Sequence, residues 1–436
     1  MTASTQRPYV REQMLPQEPP PTAQTGGVKW LRENLFSSWL NTLLTLAGAF
    51  IVYFLVSHFY PWLSHGVWNA QSLPECRTII TERYGEGATG ACWAVIRDRW
   101  TQFIFGFYPP ELFWRPVLTF VLMFVAVAPI LFPVLPRQML LFSMIFPLVA
   151  IWLLWGGSLW PVVMIGVGFG IAFAVLKALA PWGVPLGVGA GVVVAVLFWL
   201  FATGPIDDLL SQVLPIALEP VASRQFGGFL LAITLGAGGI AMSLPLGIIL
   251  ALGRQSDMFL IKSFSIMFIE FIRGVPLISL LFVASLLLNY FLPPGTNFDI
   301  ILRVMILVTM FSAAYIAEVI RGGLAALPRG QYEAADALGL DYWKAQRLII
   351  LPQALKISIP GIVSTFIGMF KDTTLVTFVG LYDPLKSIPD SIRADIAWKG
   401  TYWEHFIFVG AIFFILNFSM SRYAMYLERK LKRDHR

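Results

Sequence analysis

The chain has 436 residues, of which 57% are hydrophobic and 13% charged, with a mean hydropathy of +0.72 and a formal net charge of +6. A water-soluble domain carries about a quarter charged residues, so these values exclude that class and predict an all-α membrane protein built from apolar stretches of roughly 20 residues. The positive excess needs no nucleic acid, because Lys and Arg gathered at the cytoplasmic ends of membrane spans account for it.

Residues 1–27 are polar and proline-rich, with Pro19-Pro20-Pro21 and no apolar period. They read as a disordered cytoplasmic tail. Lys29 and Arg32 lead into a first span at about Trp39–Trp62, which places the N-terminus inside. No small-residue cleavage site follows that span, so it reads as an uncleaved anchor. The long polar segment 63–111 then falls outside, as a periplasmic loop holding the only two cysteines, Cys76 and Cys92. Two cysteines in one exported loop predict a disulfide, with two unpaired thiols as the alternative. Closing a loop of that length stabilises it by about 3 kcal/mol on the chain-entropy model.

Four further spans follow, at about Trp114–Leu135, Met139–Trp155, Leu159–Leu179 and Gly183–Ala202, completing an N-terminal extension over 28–226. Gly166/Gly170 and Gly187/Gly191 are spaced to let helices approach closely. Asp207-Asp208 and the residues up to Arg224 read as an outer loop. A core over 227–436 then holds five spans: about Gly228–Leu252, the long apolar region Phe259–Leu292, Ile301–Ile320, Ile357–Gly380 and Phe406–Leu427. Gly274 and Pro276 interrupt the second, because proline removes a helical donor and clashes with the preceding turn. The basic ending Arg429–Arg433 is cytoplasmic by the charge rule. About ten transmembrane helices therefore leave both termini inside.

Between the third and fourth core spans lies a polar island, 328–352, containing EAADALGLDYWKAQRLIILP. Its alanines favour a short helix that Gly339 terminates. Tyr332, Ala335 and Leu338/Gly339 fall on one face, small enough for another protein to approach. Glu333-Ala334-Ala335, three residues, Gly339, nine residues, Ile349, one residue and Leu351-Pro352 resembles the coupling motif of ABC importer permeases. Most of Gly227–Lys432 is similar to the polar-amino-acid branch of that family. The extension and the SRYAMYLERKL ending resemble the larger permease of general L-amino-acid systems. The resemblance implies a five-helix type I permease core whose loop docks on an ATPase.

Ionisable groups at membrane depth mark functional hypotheses. Glu270 and Arg273 lie three apart, where they could neutralise each other, just before the Gly274/Pro276 break. A broken helix exposes backbone dipoles that can hold a zwitterion. The segment resembles the family's E-F-x-R-G-T-P-L signature, with Val275 where threonine is usual. Glu318 and Arg321 are again three apart; they read as a transport element or as an ion pair bordering the loop. Lys371-Asp372-Thr373-Thr374 resembles the family's K-D-T-S stretch, inside the fourth span. Adjacent residues project to different faces of a helix, so Lys371 and Asp372 are each expected to find a partner on a neighbouring helix. Arg303, near an outer boundary, is expected to snorkel. Glu270, Arg273, Gly274, Pro276, Glu318 and the Lys371–Thr374 run are thus candidates for a substrate path or for gates, and both roles stay open.

No Walker A pattern occurs, and His58, His65, His405 and His435 form no metal-spaced cluster. The chain is therefore expected to hold no metal or cofactor, with ATP and Mg²⁺ on a separate ATPase. No second copy of the EAA or IEFIRG stretch marks a repeated ion-driven transporter, and no clustered His or Asp motif marks a membrane enzyme. The resemblance implies an inner-membrane permease that moves L-amino acids from periplasm to cytoplasm by alternating access. Its partners would be an ATPase dimer, a second permease forming a heterodimer, and a periplasmic amino-acid-binding protein.

Overall fold

The structure, a computed structural model, describes residues 26–283, 285 and 299–433. The tail predicted over 1–27 lies outside these except for Gly26 and Gly27. The first helices are α1 (Gly26–Asn34), α2 (Trp39–Ser64), α3 (Leu73–Tyr84) and α4 (Ala94–Phe105). There follow α5 (Trp114–Leu131), α6 (Met139–Trp155), α7 (Trp160–Leu179), α8 (Val184–Leu197) and α9 (Thr203–Val213). The C-terminal half contributes α10 (Gly228–Gln255), α11 (Phe259–Gly274), α12 (Leu277–Phe282), α13 (Ile300–Ala325) and α14 (Gly330–Ala337). It ends with α15 (Tyr342–Ala345), α16 (Leu351–Asp372), α17 (Pro384–Ala394) and α18 (Tyr402–Arg433).

Among the described residues, eight helices are long and apolar enough to cross a membrane, and Met139–Trp155 is a shorter apolar one. The tenth predicted span is the broken one. Its α11 ends at Gly274 and α12 starts at Leu277, while part of its remainder lies outside the described residues. Val275 between them is extended (φ −107°, ψ 132°), as the residue before a proline must be. Elsewhere the ends are set by side-chain caps. Ser38 accepts from the Asn41 amide, and Asp299 from the Ile301 and Leu302 amides. Each such cap is worth about 1 kcal/mol.

The chain divides into two compact units. One contains α1, α2 and Pro74–Cys92; in it Cys76 and Cys92 form a disulfide, with their Cα atoms 5.8 Å apart. The other contains Gln71–Leu73 and everything from Trp93 onward. Segment 63–111 is therefore not a plain loop, and its second half, α4, joins the helical bundle. Ala94, Val95, Ile96, Phe103 and Phe105 of α4 are buried, and α4 packs on α10, α17 and α18. Phe103 and Phe229 share an apolar cluster with Ile388, Ile392 and Val409. Arg99 reaches Asp395 at 2.7 Å, and Asp98 accepts from the Trp398 indole at 3.1 Å. Three stretches far apart in sequence are thus fastened at one place.

In the extension, α7 and α8 pack closely. A Cβ on Gly187 or Gly191 would meet the Leu176 carbonyl oxygen at 3.0 Å or the Ala172 carbonyl oxygen at 2.7 Å. A Cβ on Gly166 would reach only the Leu148 side chain at 3.4 Å and one on Gly170 meets nothing within 4 Å among the described residues, whereas Gly168 lies under the Trp199 indole. Asp207-Asp208 belongs to α9 rather than to a loop, and Asp207 accepts from the Ser158 and Ser211 hydroxyls. β1 (Gly157–Ser158) pairs antiparallel with β2 (Ala217–Leu218) and ties the two ends of this region.

The core proper forms around α10 and α13, which pack along their lengths. Leu230, Leu235, Val304 and Val308 fill the centre near one end, and Ala251, Ile316, Ile320 and Ala354 near the other. Burying an aliphatic side chain from water is worth about 1.5–3 kcal/mol; between helices in lipid, close packing replaces that term.

Candidate functional site

The island predicted from spacing takes a definite shape. Helix α14 is closed by two bonds. The Gly339 amide donates to the Asp336 carbonyl at 2.9 Å and the Leu340 amide to the Ala335 carbonyl at 3.2 Å. This pair of bonds needs a left-handed residue after the helix, and Gly339 supplies φ +68°. The chain then turns through Asp341, whose carboxylate caps the Lys344 amide at 3.0 Å. The Lys344 ammonium, hydrogen-bonded to the same carboxylate, holds it below the usual carboxylate range.

Next comes a π-helical turn, Gln346–Ile350, directly before α16. Pro352 carries no amide donor and would crowd the carbonyl four residues back. A widened turn relieves that crowding.

One face of α14 points the other way from the sequence expectation. Ala335 is buried, and Tyr332 packs against the cluster of Ile320, Leu324 and Ile350. Burial pushes the Tyr332 phenol up from its ordinary range. Gln331 accepts from Gln353 at 2.9 Å, which ties α14 to α16. The face left open holds Glu333, Ala334, Asp336, Ala337 and Leu338. Spacing alone identifies a face of small residues but not which side the rest of the chain will cover.

At this same end of the bundle the charges of α10, α11 and α13 meet. Glu318 is the hub. Its Oε1 accepts from Arg321 Nε at 2.8 Å and Nη2 at 2.6 Å, and its Oε2 faces Arg254 Nη1 at 3.4 Å and Arg273 Nη1 at 3.8 Å. Glu270 pairs with Arg254 at 2.8 Å, not with Arg273. The same-helix neutralisation expected of Glu270 and Arg273 is therefore replaced by cross-helix pairs. The Arg273 guanidinium also lies 5.6 Å from the Tyr315 ring centroid. Neither Arg254 nor Tyr315 stands out as a site residue in the sequence. The only local signal for Arg254 is its place in the last turn of α10, where a basic residue is ordinary. Three guanidinium groups against two carboxylates leave the cluster one positive charge in excess.

The remaining candidates lie toward the other end of α16. Asp372 is the last residue of α16, and Thr373 is buried in the 3-10 turn Thr373–Val379 that follows. The α-helix runs Leu351–Asp372 and the 3-10 turn carries on to Val379, so the Lys371–Thr374 run straddles their junction inside the apolar stretch Tyr342–Val379, as the span predicted at Ile357–Gly380 required. Thr373 and Thr374 hydroxyls donate to the Phe370 and Lys371 carbonyls at 2.7 and 2.9 Å. Among the described residues neither Lys371 nor Asp372 has an ion-pair partner on a neighbouring helix, contrary to the expectation. Lys371 is exposed and Asp372 half-buried. Arg303 does not snorkel: it is buried and donates to the Ser285 carbonyl at 2.8 Å. Gly274 and Pro276 sit at the α11–α12 break, adjoining Arg273.

Comparison with known proteins bears on this arrangement. Residues 243–433 match the family described as binding-protein-dependent transport system inner membrane component. The glutamate/glutamine/aspartate/asparagine transport system permease protein BztC of Rhodobacter capsulatus is 66% identical over 429 residues, covering 98% of this chain and 99% of BztC. The inner membrane amino-acid ABC transporter permease protein YhdY of Escherichia coli strain K12 is 38% identical, covering 92% of each chain. A crystal structure of an amino acid ABC transporter with histidines aligns with 46% of this chain and 91% of its own, at 31% identity and a TM-score of 0.41. Because BztC and YhdY match nearly end to end, the similarity takes in the extension as well as the bundle that carries the loop and the charged cluster. The chain belongs to the family of amino-acid ABC transporter permeases.

Proposed function

We propose that this permease subunit carries acidic amino acids and their amides across the inner membrane, with both termini cytoplasmic. The substrate class is supported by the full-length similarity to BztC, and the excess positive charge of the Glu318 cluster suits a cargo bearing an extra carboxylate. ATP and Mg²⁺ bind a separate pair of ATPase subunits, and this chain hydrolyses nothing itself. A second, different permease completes the path, and a periplasmic binding protein delivers the cargo. Residues 28–226 are an extension and 227–436 the transport core, with 328–352 as the coupling loop.

Glu333, Ala334, Ala335, Gly339, Leu351 and Pro352 form the lever. The single observation that carries this reading is the two-faced build of α14. Ala335 and Tyr332 are anchored among residues of α13 and the turn before α16, while Glu333 and Ala334 face outward. A push on the open face therefore passes to both spans through packed side chains. Glu270, Arg273, Gly274, Pro276 and Glu318 form an inner gate directly above the lever. Lys371, Asp372, Thr373 and Thr374 line the path nearer its outer end. Charges there cannot face lipid cheaply, so a water-filled path or the second permease covers them.

Replacing Gly339 by Asp tests the lever. It forces an L side chain into the left-handed backbone at φ +68°, which costs roughly 1–2 kcal/mol. Uptake should be abolished and ATP hydrolysis uncoupled from the binding protein while the subunit stays in the membrane. Normal uptake by Gly339→Asp in reconstituted vesicles would remove the coupling assignment.

A further inference from the structure

Between α14, α15 and the end of α10 lies a cleft of about 280 Å³, lined by Gln255, Tyr332, Ala335, Asp336, Tyr342, Ala345, Gln346 and Ile350. Three features of its wall point to one ligand chemistry. Gln346 is only 5% exposed, yet its buried Oε1 accepts no hydrogen bond among the described residues. A buried acceptor left unmet costs about 1–3 kcal/mol, so the site asks for a donor. Asp336 is the one carboxylate on the wall, and among the described residues it has no ion-pair partner. The other acid of the turn, Asp341, is already matched by Lys344 at 2.9 Å. Two tyrosines, Tyr332 and Tyr342, complete the lining with aromatic surface of the kind that attracts cations. Acceptor, carboxylate and aromatic rings together suit a guanidinium or ammonium group. An anion would meet no cation on that wall.

Asp336 lines the cleft and is also exposed on the face of α14 that the lever reading gives to the ATPase. We propose that a basic side chain of the ATPase subunit enters this cleft, with Asp336 as its counter-charge and Gln346 Oε1 as its acceptor. The loop is then gripped at the edge of α14, where Asp336 borders the cleft, as well as pressed on its open face. A side chain held in the cleft resists withdrawal when the ATPase subunits part, and so adds to the pull that contacts on the open face transmit. This proposal rests on the coupling-loop reading and adds to it the chemistry of the grip.

The test uses the complete transporter in nanodiscs, with the photo-crosslinking residue p-benzoylphenylalanine at position 342 or, separately, at position 334. Binding of the ATPase subunit is measured for the native permease, Asp336→Asn and Asp336→Glu at low and high salt. Crosslinks from 342 should reach an ATPase peptide containing Lys or Arg. Asp336→Asn should weaken ATPase binding roughly fivefold at low salt and flatten its salt dependence, while Asp336→Glu restores most of it. Asp336→Asn binding as the native permease does, with crosslinks from 334 intact, overturns the grip and leaves the lever standing. Crosslinks lost from both 334 and 342 sink the lever itself. Saturable binding of ethylguanidinium to the cleft, undisturbed by the ATPase, would make it a small-cation site and end the ATPase assignment.

Discussion

The hub of the charged cluster yields the sharpest test of the proposed gate. Glu318→Gln keeps the shape of the side chain and deletes its charge. In the native cluster that carboxylate answers Arg321, Arg254 and Arg273 within 2.6–3.8 Å, and its side chain is 25% exposed. An exposed pair is worth about 0–1 kcal/mol, and breaking a buried one costs about 3–5 kcal/mol. A three-quarters-buried hub with one close bidentate partner and two looser ones lies between, at about 2 kcal/mol. Only the part held across helices, by Arg254 and Arg273, favours the conformation where α10, α11 and α13 meet, since the Arg321 pair lies within α13; taking that part as about 1 kcal/mol shifts the balance of two conformations roughly fivefold. ATP hydrolysis without binding protein should therefore rise, and amino acid carried per ATP should fall. The readout is ATPase and uptake in proteoliposomes. A double-mutant cycle with Arg254→Met isolates the Arg254–Glu318 term. If Glu318→Gln leaves both rates at native values, the cluster is not a gate.

Two further outcomes follow from the packing. Removing the disulfide by Cys76→Ser with Cys92→Ser should destabilise that segment by about 3 kcal/mol, seen as faster proteolysis between positions 63 and 92, with uptake at moderate temperature little changed. Gly191→Val should cost about 1–3 kcal/mol of thermal stability in detergent, because its side chain meets the Ala172 carbonyl oxygen at 2.7 Å, whereas Gly170→Val, where nothing lies within 4 Å, should be near neutral. Equal effects of the two valines would mean that the spacing of glycines, rather than the contact, governs this hairpin.

What sequence reasoning could reach divides by distance along the chain. Spans set by a run of apolar residues were legible, as was the break at Gly274 and Pro276, because each depends only on local composition and backbone chemistry. The Glu318–Arg321 pair was legible for the same reason, being one helical turn apart. Glu270 shows where that logic fails. Its nearest opposite charge in sequence is Arg273, but Arg254, sixteen positions away, takes it at 2.8 Å. A side chain as long as arginine reaches across a helix interface, and the three-apart rule sees one helix only.

Helix α4 carries the same argument to its limit. Arg97-Asp98-Arg99 reads as a solvated loop, and so hides the apolar residues that flank it. The charges become tolerable only when Asp395, 296 positions on, takes Arg99 and the Trp398 indole reaches Asp98. No window along the sequence contains both halves of that bargain. Its consequence is functional: α4 belongs to the extension by sequence but is fastened to α17 and to the start of α18. Any movement of α17 during transport must therefore carry α4 with it, or else break an ion pair, an indole hydrogen bond and the packing of Phe103 at once. Residues 94–105 are thereby coupled to 384–409 by contacts that form only in the folded chain.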